Sequence, residues 1–126
     1  MKNIKLRCFF KRNGIKRIQD IFWLLEELGF AVRGCFYEDD SVCGVIVVDE
    51  YRETLPHFDK NKVITYSHNL SIKDKKLYLA YQLVEYIQEK EENRYVRFAN
   101  KVKKWETSGE TMLLAKEIVD SIGKKI

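Results

Sequence analysis

A chain of 126 residues, 45% of them apolar, can close one core but not two, because each half would fall below the size at which a core sustains itself. A single Pro and the lack of any low-complexity run exclude an extended disordered segment. The net charge of +4 is unevenly placed: residues 1–17 carry seven Lys and Arg and no acid, whereas Glu38, Asp39, Asp40, Asp49, Glu50 and Glu53 gather in the next third.

The N-terminal stretch is too polar for a signal peptide, and no apolar run approaches the ~20 residues that span a bilayer. A cytoplasmic protein without a membrane partner is expected. The basic segment 1–17 suggests nucleic-acid contacts through Lys11, Arg12, Lys16 and Arg17, since each cation that neutralises a phosphate releases a counterion. A solvated basic face is the stronger reading, because no DNA-reading motif follows. Cys8, Cys35 and Cys43 form an odd set without a C-x-x-C pair, which fits reduced thiols better than a disulfide or metal framework.

From Ile15 to Leu28 the apolar residues Ile15, Ile18, Ile21, Phe22, Leu24, Leu25 and Leu28 recur at helical spacing, and Gly29 supplies a stop. Three runs rich in β-branched and aromatic residues follow: FAVRGCFY, VCGVIVVDE and KVITYS. The first two, joined by an acidic turn, are expected to form an antiparallel hairpin. Ser71 or Asn69 then caps a long helix beginning near Lys73. Between Leu77 and Ile87 only Gln82 and Glu85 are polar in the strict sense, so this helix is expected to be central and buried. Met112, Leu113, Ala115, Ile118, Val119 and Ile122 mark a final amphipathic helix over about 107–123. The expected class is α+β: a small, mainly antiparallel three-stranded sheet on a central buried helix, flanked by N-terminal and C-terminal helices in a single domain, 1–126.

The segment KKLYLAYQLVEYI resembles the active-site helix of the ImmA/IrrE metallopeptidases, zincin-like proteins with a His-Glu-x-x-His site. Lys76, Leu77, Leu79, Ala80, Leu83, Tyr86 and Ile87 fall on matching or similar positions. The preceding strand NKVITYS and the downstream RFANKV, set against that family's Glu-Ala-Asn-x-Phe-Ala helix, extend the resemblance over about residues 30–105.

In the family pattern two imidazoles four residues apart bind zinc, and the intervening Glu activates water. Here Tyr81 and Glu85 stand at the His positions, Gln82 at the general-base position, and Arg94 at or near the third ligand. A phenol is a poor ligand at neutral pH, an amide cannot serve as a base, and a fixed positive charge opposes a cation. Val84, where the family has Gly, adds bulk suited to a filled site.

The resemblance therefore implies a pseudoenzyme: no catalytic residue, no metal and no cofactor. Family members often regulate mobile elements or stress responses by recognising a helix-turn-helix repressor, so the implied role is protein binding. An atypical active zinc site and a nucleic-acid-binding module are the alternatives. Glu85 and Arg94 are expected to form a charge-assisted contact in place of the metal, and Tyr78, Tyr86 and Tyr95 to line a partner groove. His57 and His68 read as loop histidines, and Asp39, Asp40 and Asp49 as turn residues rather than cation ligands.

Overall fold

The computed structural model describes residues 18–92, 97–103 and 109–123. In chain order these form helix α1 (Ile18–Glu27), strands β1 (Phe30–Cys35), β2 (Val42–Asp49) and β3 (Lys62–Ser67), helix α2 (Ile72–Glu92), strand β4 (Arg97–Lys103) and helix α3 (Glu110–Gly123). The class is α+β, as the sequence implies. None of the described helices is long and apolar enough to cross a membrane.

Local chemistry sets the helix ends. Gly29 adopts φ +97°, the left-handed conformation that closes α1, and its N–H reaches the Glu26 carbonyl at 3.0 Å. The Ser71 hydroxyl accepts the Asp74 N–H at 3.1 Å, so of the two candidate caps Ser71 starts α2.

The sheet corrects the sequence reading in three respects. It has four strands, in the order β1-β3-β2-β4. β1 pairs in parallel with β3 rather than forming a hairpin with β2, and β2 pairs antiparallel with both β3 and β4. The segment RFANKVK, expected to be helical from the resemblance, is a strand. Its residues alternate: Phe98, Asn100 and Val102 stand in register with Val48, Ile46 and Gly44 on one face, and Arg97, Ala99 and Lys101 with Asp49, Val47 and Val45 on the other.

The physical logic lies in which strands occupy the centre. VIVV of β2 and VIT of β3 are the most β-branched runs and gain most from burial on both sides. The edge strands instead carry charge, Arg33 on β1 and Arg97, Lys101 and Lys103 on β4, which discourages further edge pairing.

One apolar cluster joins the helices to the inner face of the sheet through Ile21, Leu25, Phe30, Ile46, Ile64, Leu79, Leu83, Val84 and Ala115. Each fully buried Leu, Ile or Phe contributes about 1.5–3 kcal/mol relative to exposure. α2 is central, as its nearly all-round apolar sequence demands, with Tyr78, Leu79, Ala80, Gln82, Leu83, Val84 and Tyr86 all buried. On the outer face no described helix packs; Leu55, Pro56 and Phe58 of the loop 50–61 line a cavity there together with Val45, Val47, Val63 and Thr65.

Candidate functional site

The helical repeat of α2 carries Tyr78, Tyr81, Gln82 and Glu85 along adjoining positions above the inner face of the sheet. Tyr78 is anchored first. Its hydroxyl donates to the Thr65 carbonyl at 2.6 Å, and it fits there because Gly44 lacks a side chain: a Cβ at Gly44 would collide with both the Thr65 carbonyl oxygen and the Tyr78 hydroxyl. Burial raises the Tyr78 pKa strongly, so it is a neutral phenol holding α2 to the sheet.

Gln82 is fully buried. Its Nε2 donates to the Tyr78 hydroxyl at 3.0 Å, while its Oε1 has no hydrogen-bond partner among the described residues. An unpaired buried acceptor costs about 1–3 kcal/mol.

Glu85 reaches β4. Asn100 Nδ2 donates to Glu85 Oε1 at 2.7 Å, and Oε2 is buried without a partner among the described residues. Burial raises the Glu85 pKa; the Asn100 bond opposes this rise, and the charge of Glu89 adds to it. One turn earlier, Tyr81 is half-buried, and its pKa is raised by burial and by the Glu85 charge.

The donor set does not fit zinc. A phenol at Tyr81 is pushed away from the anionic form that binds metal, and Asn100 presents an N–H donor to the one carboxylate. Val84 is fully buried and fills the helix underside. Among the described residues no group of three or more His, Cys, Asp or Glu is placed to hold a metal ion.

The partner groove expected at Tyr78, Tyr86 and Tyr95 needs correction. Tyr78 and Tyr86 are buried in the core, where Tyr86 packs edge-on against Phe30 with centroids 4.8 Å apart and accepts a hydrogen bond from Lys62 Nζ at 3.0 Å. Both line the interior because their long side chains span the gap between α2 and the sheet. Tyr95, Arg94, Lys11, Arg12, Lys16 and Arg17 lie outside the described residues, and with Arg94 so does the expected Glu85 contact.

The remaining candidates have conformational roles. Asp39 accepts from the Ser41 N–H at 2.9 Å and hydroxyl at 2.7 Å, bonds that hold its carboxyl below the usual range. Asp49 accepts the Tyr51 N–H at 3.1 Å and pairs with Arg52 and Arg97. His57 is an exposed loop residue with φ 67°, and the His68 ring packs at a tilt of 47° against the exposed Phe36, centroids 4.7 Å apart. Neither Cys35 nor Cys43 is in a disulfide.

Two residues were not singled out from the sequence. Asn100 is hidden by the helix that the resemblance implies for RFANKV; the strand's alternation puts a polar residue between Phe98 and Val102 on the inward face, which is the signal. Tyr37 hydrogen-bonds the Thr65 hydroxyl, and burial pushes its pKa up to about 12.

Comparisons of this chain with protein-family models, curated proteins and solved structures return no match.

Proposed function

We propose that this protein is a catalytically inactive relative of the ImmA/IrrE metallopeptidases that acts by binding a protein partner, a helix-turn-helix repressor of a mobile element or stress circuit. One observation carries the reading. On a buried helix beside a mixed sheet, the positions that resemble a zinc site hold Tyr81, Gln82 and Glu85, and the carboxylate is engaged by the Asn100 amide. Such a set has an amide, Gln82, where a water-activating carboxylate would stand, and no open ligand shell, which supports a role in binding rather than cutting.

The test pairs the full chain with purified helix-turn-helix repressors from the same genome, measuring complex mass by light scattering and repressor integrity by mass spectrometry. A stoichiometric complex with intact repressor, unaffected by chelator or added zinc, is the expected result. Cleavage of the repressor, or stoichiometric zinc that the Glu85→Gln variant fails to retain, would overturn the inactive reading. Failure to bind any repressor would overturn the assigned partner.

A further inference from the structure

The outer face of the sheet carries a site that the Tyr81–Glu85 cluster, on the inner side, does not explain. Strand register defines it in two rows. One row reads Arg33, Thr65, Val45, Lys101 from β1 to β4, and the next reads Ala31, Val63, Val47, Ala99. Paired residues on neighbouring strands share a face, so two cations flank an apolar centre and small side chains flank the row beside it.

Above that centre lies a cavity of about 240 Å³ lined by Val45, Val47, Leu55, Pro56, Phe58, Val63 and Thr65. Thr65 alone offers polar atoms in its side chain, and its hydroxyl is already used by Tyr37 and the Val45 carbonyl. The cavity is smaller than the roughly 300–1,000 Å³ usual for sites that engulf a cofactor or drug-sized ligand. It matches one bulky apolar side chain.

Charge selects what surrounds that side chain. Along β4, Arg97 is paired with Asp49 at 3.7 Å and Lys103 with Asp39 at 4.0 Å. Arg33 and Lys101 are exposed, and among the described residues neither has a carboxylate within ion-pair distance: the Arg33 guanidinium donates to the Val32 carbonyl at 3.0 Å, and Lys101 acts on Asp39 only through the longer-range field of its charge. They lie on opposite edge strands, three strand spacings or ~14 Å apart at the backbone, which an extended chain covers in about four residues. Side chains at i, i+2 and i+4 of such a chain point the same way.

We propose that the outer sheet face binds an extended segment of a partner protein with the pattern acidic-x-apolar-x-acidic. The apolar side chain enters the cavity, and the carboxylates engage Arg33 and Lys101. A second copy of this chain is disfavoured because its own cations would meet these two. A nucleic acid is disfavoured because Phe58 is the one ring in the lining, whereas single strands are held on successive stacking rings. The site is on the opposite face from Glu85 and Gln82, so it stands whether or not the pseudoenzyme reading does.

The test uses the full chain and a labelled peptide, acetyl-Gly-Glu-Thr-Leu-Thr-Glu-Gly-amide, followed by fluorescence anisotropy and by amide chemical shifts. Saturable, salt-sensitive binding is expected, with shifts centred on Val45, Val47, Val63 and Thr65. Replacing the peptide Leu by Ser, or introducing Arg33→Glu with Lys101→Glu, is expected to weaken binding at least tenfold. Both protein positions are exposed, and circular dichroism verifies that the variant is folded. A peptide with Lys in place of both Glu residues is expected to bind the charge-reversed variant better than the original protein. No saturation at millimolar peptide, shifts confined to the helical side, tighter binding of a single-stranded oligonucleotide that also shifts the outer face, or a dimer that buries this face would each overturn the proposal.

Discussion

Asn100 on β4 donates its amide N–H to Glu85 on α2 at 2.7 Å, tying the last strand to the central helix through a half-satisfied carboxylate. Because the second oxygen has no partner among the described residues, the bond to Asn100 is the one direct compensation for burial that these residues give the carboxylate. Asn100→Ala should lower stability by about 1–3 kcal/mol, the usual cost of stranding a buried polar group. Urea denaturation followed by circular dichroism measures it. A variant as stable as the original would show that the bond contributes nothing.

The raised pKa of Glu85 has a definite consequence for pH dependence. Its folded form holds the proton to a higher pH than its unfolded form does, so the native state binds more protons between those two values. Stability therefore falls as pH rises from the ordinary carboxylate range through the raised Glu85 value, and levels off above it. Glu85→Gln removes this decline. Denaturation midpoints of the two proteins should converge in acid and separate towards neutral pH, with the Gln variant the more stable. An unchanged gap across the titration would contradict the assignment.

Gln82 offers a contrasting case. One end of its amide is bonded and the other is stranded in the core. Gln82→Met keeps much of the shape and removes the stranded acceptor, and Tyr78 retains its bond to Thr65. The variant should be neutral or more stable by about 1 kcal/mol. Thermal unfolding reads it, and a large drop in midpoint would mean the amide has a partner in solution.

Gly44 is held by close approach rather than by an unusual backbone angle. A methyl group there meets the Thr65 carbonyl oxygen, which belongs to the paired strand and cannot swing away, as well as the Tyr78 hydroxyl. Gly44→Ala should cost about 3 kcal/mol or more by displacing α2 from the sheet. At Gly34 the obstructing group is the exposed His68 ring, a side chain that can turn away by giving up its contacts with Phe36 and Tyr66, so Gly34→Ala should cost less. Comparing the two variants by chemical denaturation checks the ranking.

The identity and order of most elements were legible because periodicity is local. Apolar residues at helical spacing marked α1 and α3, the apolar run from Leu77 to Ile87 marked α2 as central, and β-branched runs marked β1, β2 and β3. Gly29 and Ser71 announced a helix end and a helix start through conformational preferences that belong to single residues.

Tertiary structure decided which strands meet and which polar groups pair. The acidic turn between β1 and β2 permits a hairpin, yet β3 lies between them, since the strand order depends on burying the most β-branched runs of the whole sheet at its centre. RFANKVK became a strand in the same way, through pairing with β2, and that pairing turned Asn100 towards Glu85 and Lys101 towards the outer face. Such partnerships are set by contacts between residues far apart in sequence, whose free energy no short window contains.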